Sequence, residues 1–359
     1  MSTLAFELIA ALEASEPPEA RALQRDEVRL MVARRTGQTI VHTRFRQLPA
    51  YLEPGDLVVI NNSATLPAAV PATRTDGTRI EVRFATRAPG RTDRVVRTGG
   101  PGSHHQPQRS VVELRSDRAS SPLSDGRTGE QIQLPGRATM RLLAPYLGSG
   151  RLWLARTEGI DDLHEYLGEH GHPIRYRYVR RTWPLDAYQT VYASEPGSAE
   201  MPSAGRPFTA ELLTRLRTMG VLIAAVTLHA GVSSPEAHEP PYPEEYTVPP
   251  ATAGLVNRVR NSGHSVVAIG TTVVRALESA AAPDGTLESR QGWTNLVISK
   301  DHPVRVVDGL LTGWHEPRAS HLQILEVIAG ERLVRDSYEA ALARGYLWHE
   351  FGDSHLILP

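Results

Sequence analysis

Residues able to do chemistry are most sharply grouped in the stretch VAIGTTVVRALES, residues 267–279. Four apolar residues lead into Gly270, Thr271 and Thr272, and a helical apolar spacing then carries Arg275. A strand that ends in such a turn before a helix exposes unpaired backbone N–H groups, which can bind an anion. The same residues could instead form a Thr-capped helix with Arg275 in a surface ion pair. The sequence leaves both interpretations open.

A second candidate is the segment RYRYVRR, residues 175–181, in which guanidinium groups alternate with aromatic rings. Arg175 and Arg177 could bind phosphate while Tyr178 stacks on an unpaired base. An exposed edge strand explains the same alternation equally well. The formal net charge is −1, so any contact with RNA would depend on a local patch such as this one.

Composition excludes several classes of protein. The chain has no cysteine, so disulfides, thiolate metal sites and a cysteine nucleophile are absent. No run of about 18 apolar residues occurs, so no membrane span is expected. Residues 4–13 predict a surface helix and not a signal peptide, because no basic segment precedes them. None of the 14 histidines forms a spaced set with carboxylates, so we expect no metal site. Together these features favour a cytoplasmic protein.

The chain contains two kinds of secondary-structure pattern that must position these residues. Across residues 73–155, short strand patterns are separated by Gly, Pro, Ser and Arg clusters, which predicts a small all-β domain, as in a barrel. After residue 161, helix and strand patterns alternate, as is typical of α/β proteins with mainly parallel strands. The predicted fold is an α/β main domain of residues 1–72 and 156–359 with a β-rich domain inserted at 73–155.

Seven sequence blocks occur in the order shown by one family: GDLVVINNSATLPA, DAYQTVYA, GSAEMPSAGRPFT, VTLHAG, VAIGTTVVRALES, VDGLLTGWHEPRASHL and YLWHEFGDSHLIL. On these blocks the chain resembles the S-adenosylmethionine:tRNA ribosyltransferase-isomerases of queuosine biosynthesis. The resemblance covers both ends and most of the chain from residue 178 onward, and it is weak between residues 84 and 171. It implies a barrel-like α/β main domain with an inserted β-barrel.

The resemblance also implies a reaction. The ribosyl part of the co-substrate S-adenosylmethionine is transferred to the aminomethyl group of a 7-deazaguanine in a tRNA anticodon. During transfer it rearranges to an epoxycyclopentane, and adenine and methionine leave. A base removes a proton that the neighbouring sulfonium acidifies, and the leaving adenine needs a proton donor. The implied partners are S-adenosylmethionine and tRNA, with no metal, no membrane and no obligate protein partner.

The family motifs suggest roles for the residues of the first stretch and for one histidine. Gly270, Thr271 and Thr272 would hold the methionine carboxylate or ribose hydroxyls, with Arg275 as the counter-charge. His229, which ends the apolar run VLIAAVTLH, matches a family histidine. It could be a base, a donor or a satisfied structural histidine, since the residue alone does not reveal its pKa.

Further candidates lie in the remaining blocks. His315 and Asp353 are candidate catalytic residues, and Trp314 could cover a cationic or purine group. The Gly-Asp pair that contains Asp353 could equally be an ordinary turn. Gln189, in DAYQTVYA, could read a purine or deazaguanine edge, and Glu244 best fits the Glu that closes the family's His-x-Met-His-x-Glu element.

Departures from the family pattern leave other activities open. Asn62, Ala64 and Ala69 stand where the family has an acid and two arginines, and the paired histidines before Glu244 are missing. Such losses fit a retained S-adenosylmethionine pocket with an altered acceptor site. The alternatives are a paralogue that acts on a small molecule, a lyase or hydrolase of S-adenosylmethionine, and a noncatalytic binder of S-adenosylmethionine or RNA.

Overall fold

The computed structural model of the protein describes residues 6–89, 109–117, 121–232, 242–317 and 319–359. Its helices are α1 (Leu163–His170), α2 (Ala210–Thr218), α3 (Pro250–Asn261), α4 (Thr271–Ala280), α5 (His321–Ala329) and α6 (Glu331–Ala343). Its strands in chain order are β1 (Arg29–Arg34), β2 (Thr39–Arg44), β3 (Leu57–Asn61), β4 (Ser63–Thr65), β5 (Ala69–Arg74), β6 (Arg79–Arg87), β7 (Arg109–Ser116), β8 (Gln131–Gln133), β9 (Thr139–Pro145), β10 (Leu152–Glu158), β11 (Glu195–Ser198), β12 (Leu222–Leu228), β13 (Glu244–Val248), β14 (Val266–Ile269), β15 (Arg290–Thr294), β16 (Gly309–Gly313) and β17 (Ser354–Leu358).

The main body is a nine-stranded sheet in the order β15-β13-β12-β3-β14-β16-β17-β1-β2. At its centre β12, β3, β14 and β16 run parallel to one another. We expected mainly parallel strands, but the sheet is mixed. Strands β13 and β15 extend one side of it in antiparallel pairing, and β17 pairs antiparallel with β16. The α/β class is confirmed, and the carboxyl ends of the four central strands meet at one edge.

Strand β3 shows why this sheet is covered on both faces. All five of its residues are buried, and successive side chains of a strand point to opposite faces. Leu57 and Val59 belong to the core that contains the apolar residues of α3 to α6, whereas Val58 and Ile60 pack with Leu216 of α2. A continuous apolar run is the pattern expected of such a strand. Among the described residues, no helix combines the length and apolarity needed to cross a membrane.

The inserted β domain is a closed six-stranded barrel in the order β10-β7-β6-β5-β8-β9. Its strands pair antiparallel throughout, and its interior is filled by apolar side chains that include Val82, Leu114 and Trp153. The all-β, barrel-like insertion expected from the sequence is therefore confirmed. Buried Arg83 donates to the carbonyl oxygen of Arg175 at 2.9 Å and so ties the barrel to the segment RYRYVRR.

The surface helix predicted for residues 4–13 is wrong in the described part, where only a short 3-10 turn occurs at Ala10–Leu12. Tertiary contacts override the local apolar rhythm here. Trp348 N–H donates to the Leu12 carbonyl at 2.8 Å, and Ala14 N–H donates to the Trp348 carbonyl at 3.2 Å. The Phe6 ring also packs on Tyr338 with centroids 5.3 Å apart. The segment is thus held extended against the C-terminal region.

The turn that joins β14 to α4 requires glycine. Gly270 precedes α4 with φ 95° and ψ 154°, and its N–H donates to the Leu311 carbonyl of β16 at 2.8 Å. A side chain is strained in this backbone region, which is almost exclusive to glycine. The nearest atom to an added Cβ would be the Ala204 Cβ at 3.4 Å, so strain would arise from the backbone and not from a clash.

Replacing Gly270 by alanine should therefore lower the free energy of unfolding by about 1–3 kcal/mol. The matched control is Gly254→Ala, because Gly254 lies inside α3 with open space around its Cβ position. That change should raise stability by up to about 1 kcal/mol. Urea unfolding midpoints of the two variants decide the matter, and a shift of the same sign in both would contradict the requirement for glycine at residue 270.

Candidate active site

One buried amide, that of Asn61, joins the carboxyl ends of β3, β12 and β14. Its Oδ1 accepts from the N–H groups of Leu228 at 3.0 Å and Ser63 at 3.1 Å. Its Nδ2 donates to the Leu228 carbonyl at 2.9 Å and to Thr272 Oγ1 at 3.3 Å. Asn61 therefore fixes the position of His229, the next residue after Leu228, relative to the start of α4.

His229 lies at this edge, partly exposed, with one ring nitrogen anchored. Its Nδ1 lies 2.7 Å from Ser63 Oγ, which lies 2.6 Å from Ser198 Oγ, and Ser198 Oγ accepts from Ala230 N–H at 3.0 Å. Burial, assisted by Arg87, lowers the pKa of His229 to about 4, so the ring is neutral at pH 7. Within the described ranges its Nε2 has no hydrogen-bond partner, which leaves that atom available to a ligand.

The start of α4 does not have the Thr cap that one interpretation predicted. Gly270 is the residue before the helix and provides no side-chain cap. Thr271 is buried, and the Thr272 hydroxyl accepts from Asn61. Since the first N–H groups of a helix lack intrahelical partners, those of Thr271 and Thr272 can be offered to an anion beside His229.

Arg275 and Glu244, predicted separately, form an ion pair with each other. Arg275 also donates to the carbonyls of Leu296 at 3.1 Å and Thr294 at 3.3 Å. Glu244 in turn accepts from Gly231 N–H at 3.0 Å. Both predictions for Arg275 are therefore corrected, since its guanidinium is committed to protein groups and is neither a free counter-charge nor a partner of the next helical turn.

Burial bears on two other predicted roles and corrects that of Trp314. Trp314 is 2% exposed, with its ring stacked on His355 at 4.7 Å and enclosed by further aromatic rings. It therefore has no open face to cover a ligand. Asp353 is also buried, and it accepts from the backbone N–H groups of Arg29 at 2.7 Å and Leu347 at 2.8 Å. Its salt bridge to Arg29 completes a structural clamp, and a catalytic role of this carboxylate stays a prediction.

His315 follows β16, so it comes from the strand beside β14. Its Nε2 lies 2.8 Å from Thr312 Oγ1, and its ring stacks on that of His321 with centroids 4.6 Å apart. Burial, with the nearby His321, holds the pKa of His315 well below the usual range. A neutral imidazole at this edge can take part in hydrogen bonding, and its catalytic role stays a prediction.

The segment RYRYVRR is irregular and not an edge strand. The Tyr178 ring lies between Tyr176 at 5.6 Å and His349 at 4.0 Å, nearly parallel to both, and its hydroxyl donates to the Glu350 carboxylate. Since both faces of the ring are covered, the predicted stacking of Tyr178 on a base is corrected. Arg175 donates to the Arg180 carbonyl at 3.3 Å.

Arg177 is exposed, so its guanidinium can contact a phosphate group. Gln189 does not keep its amide free. Its Oε1 accepts from Thr65 N–H at 3.0 Å and its Nε2 donates to the Thr65 carbonyl at 2.8 Å. The amide thus bridges to β4, and the predicted base-reading edge is occupied by backbone.

Sequence reasoning missed four polar residues, three of them at this edge and one beside the segment RYRYVRR. Asn61, Ser63 and Ser198 lie in family-like blocks, but neither type nor spacing reveals that they meet. Glu350 is the fourth, and burial raises its pKa to about 7. A carboxyl group with that pKa can exchange a proton at neutral pH. No local pattern predicts this, because the burial comes from distant segments such as the one containing Tyr178.

Glu13, Glu316 and His349 are the described residues that could hold a cation, with all their ligand atoms within 4.8 Å of one another. His349 Nε2 lies 3.5 Å from Glu13 and 4.0 Å from Glu316. Burial raises the pKa of Glu316 and lowers that of His349 to about 4, and the charge of Arg177 acts on both. Arg177 thus already supplies positive charge there, and the expectation of no metal stays a prediction.

The chain is similar to known proteins from end to end. The family model described as "Queuosine biosynthesis protein" matches residues 1–357. The S-adenosylmethionine:tRNA ribosyltransferase-isomerase of Thermus thermophilus is 36% identical over 355 residues, which span 95% of this chain and 97% of that protein. The protein of the same name from Moorella thermoacetica is 36% identical over 367 residues, 98% of each chain.

A solved structure agrees with these matches. The crystal structure of an S-adenosylmethionine tRNA ribosyltransferase from Thermotoga maritima has a TM-score of 0.52 to this chain at 29% identity. The match covers 98% of this chain and 99% of the other. The inserted barrel is therefore included in the similarity, although the sequence blocks there are weak.

The structural role of Asp353 can be separated from a catalytic one. Asp353→Asn should lower the free energy of unfolding by about 3 kcal/mol or more, because two N–H donors and a guanidinium lose a buried carboxylate. The control is Asp336→Asn, whose carboxylate faces Arg332 at 3.8 Å on the exposed side of α6. It should change stability by less than about 0.5 kcal/mol. Equal unfolding midpoints in urea for the two variants would restore a purely catalytic role for Asp353.

The buried histidines make stability depend on pH. Burial lowers the pKa of His355 to about 3, whereas an unfolded histidine titrates near 6.5. Below about pH 6.5 the unfolded chain binds a proton that the folded chain excludes, so stability is lost as the pH falls toward the folded pKa. His355→Phe should remove about 1.4 kcal/mol per pH unit from the slope between pH 6 and pH 4. Urea denaturation across this range measures the slope, and identical slopes in both proteins would refute the assignment.

Proposed function

This chain belongs to the queuosine biosynthesis protein family, and we propose that it transfers and isomerises the ribosyl group of S-adenosylmethionine onto a 7-aminomethyl-7-deazaguanine in tRNA. Adenine and methionine are the other products. The observation that carries the proposal is the end-to-end similarity to enzymes named S-adenosylmethionine:tRNA ribosyltransferase-isomerase, at 36% identity. A module shared by unrelated activities would match over part of the chain and not over both the sheet and the barrel.

We assign the S-adenosylmethionine site to the edge where β3, β12 and β14 end. In α/β sheets ligands bind outside the carboxyl ends of parallel strands. Here the N–H groups of Thr271 and Thr272 can hold the methionine carboxylate or ribose hydroxyls, while His229 presents its Nε2. With Arg275 paired to Glu244, the anion of the ligand is held by backbone N–H groups and not by a guanidinium.

We assign the tRNA contact to exposed arginines of the segment RYRYVRR. Arg177, Arg180 and Arg181 are exposed, and the Arg181 guanidinium lies 3.8 Å from the centroid of the Trp183 ring. Such side chains contact phosphate groups and set position more than sequence. Because the net charge is −1, binding rests on this local patch and is sensitive to salt.

Two of the residues that depart from the family pattern have hydrogen-bond partners within the fold, and this supports the same reaction. Asn62 accepts from the Thr227 hydroxyl at 2.7 Å and donates to Ser194 Oγ at 3.2 Å. Ala69 is fully buried, and its backbone exchanges hydrogen bonds of 2.8 and 3.0 Å with His172. Asn62 and Ala69 therefore have structural partners, and their departure from the family pattern does not remove the groups at the edge of the sheet where His229 lies.

The proposal predicts release of adenine and methionine only when S-adenosylmethionine and a tRNA that carries the aminomethyl-deazaguanine are both present. The reason is that the amine of the acceptor takes the ribosyl carbon, so the leaving groups depart during transfer. Chromatography of the products measures the release, and mass spectrometry of the digested tRNA detects the added epoxycyclopentane. The control is the same tRNA with an unmodified guanine, which should give no release.

The competing activities give other results in the same assay. Release with S-adenosylmethionine alone indicates a lyase or hydrolase. Calorimetric binding of S-adenosylmethionine without release in the presence of either tRNA indicates a noncatalytic binder or an enzyme with a small-molecule acceptor. Release that begins when small-molecule amines are added separates the enzyme from the binder. Any of these outcomes overturns the proposed acceptor.

A further inference from the structure

A chain of hydrogen bonds ends on His229. Ala230 N–H donates to Ser198 Oγ at 3.0 Å. Ser198 Oγ lies 2.6 Å from Ser63 Oγ, and Ser63 Oγ lies 2.7 Å from His229 Nδ1. Ser198 is 0% exposed and Ser63 is 1% exposed, so bulk water does not compete for either hydroxyl.

Counting protons sets the direction of this chain. If Ser198 donates to Ser63 and Ser63 donates to Nδ1 of His229, both hydroxyl protons have an acceptor. If instead Nδ1 carries the proton and donates to Ser63, the bond between the two hydroxyls is the only one left for their own two protons. One hydroxyl proton then has no acceptor among the described residues, which is unfavourable because both hydroxyls are buried.

We propose that Ser63 and Ser198 hold His229 as the neutral tautomer with its proton on Nε2, so that His229 acts as a hydrogen-bond donor to the substrate and not as a base. Ser63 and Ser198 are positioning residues in this scheme. The identity of the substrate rests on the proposed function above, whereas the tautomer follows from the hydrogen bonds of the protein alone.

The surroundings of the ring support a neutral donor. Gly197 packs against the ring and makes room for it, since a Cβ at that residue would lie 2.5 Å from His229 Nδ1. Arg87 and His164 are the charged and titratable groups that act on His229, and both disfavour an added positive charge there. No carboxylate offsets them among the described groups that influence its pKa. A protonated imidazole is therefore opposed by burial and by charge.

The consequence for the reaction is a division of roles. An Nε2–H group can donate to a lone pair on the nucleoside, such as a ring nitrogen of adenine or an oxygen of ribose, without any proton being transferred. It cannot accept the proton that lies beside the sulfonium, because the only ring lone pair is engaged by Ser63. The base of the first step is thus a group other than His229.

The tautomer can be observed directly in the free protein. Nitrogen-15 NMR of histidine-labelled protein at neutral pH should show His229 with an Nε2–H and a bare Nδ1. The signal is assigned by its loss in His229→Gln. Ser63→Ala should produce a mixture of tautomers, because the donor to Nδ1 is gone, and Ser63→Thr should restore the single form. An Nδ1–H or doubly protonated ring in the unchanged protein, or no effect of Ser63→Ala, overturns the proposal.

Kinetics provide the second readout. Ser63→Ala should lower kcat at least about tenfold with little change in KM for S-adenosylmethionine, and Ser63→Thr should recover it. His229→Gln keeps an N–H donor, so it should retain at least about tenfold more activity than His229→Ala. Equal loss in both His229 variants would indicate a base and overturn the donor role. If the unchanged protein lacks ribosyl transfer, the proposed function fails, while the NMR result still decides the tautomer.

Discussion

The amide of Asn61 is the contact on which the geometry of the candidate active site depends. A side-chain amide has two donor hydrogens and two acceptor lone pairs, and here all four are used by Leu228, Ser63 and Thr272. In the buried interior, losing one such partner costs about 1–3 kcal/mol. The network is therefore satisfied in one relative arrangement of β3, β12 and α4, and that arrangement aims His229 and the first N–H groups of α4 at one place.

An ion pair further from the site, between Arg275 and Glu244, also fixes the position of α4 relative to the loop after β12. Arg275 reaches from α4 to Glu244, and Glu244 holds the N–H of Gly231, two residues after His229. A buried ion pair contributes little net stability once desolvation is counted, so its value here is orientation. The Arg275–Glu244 pair thus links the loop after β12 to α4, and Asn61 forms a second link between β12 and α4. Full-length charges are spent on the frame, so that backbone N–H groups and a neutral imidazole remain at the edge of the sheet.

The sequence predicts elements better than it predicts partners. The apolar run of β3 and the Gly-Thr-Thr turn before α4 are local signals, and the structure contains both as expected. The apolar rhythm of residues 4–13 is equally local, yet backbone pairing with Trp348 overrides it. Tyr178 and Gln189 carried the right chemistry for base recognition, but distant segments occupy the ring faces and the amide. Residue type is readable from sequence, whereas availability is decided by contacts that only the fold creates.

Burial then divides acid–base chemistry between two residue types. The pKa of His229 falls to about 4 because burial disfavours an added charge on imidazole. The same cause raises the pKa of Glu350 to about 7, because burial disfavours the charged carboxylate. At neutral pH the histidine is thus uncharged and donates, whereas the carboxyl group is poised between its two forms. One physical cause, burial, therefore keeps His229 neutral at neutral pH and brings the titration of Glu350 into the same pH range.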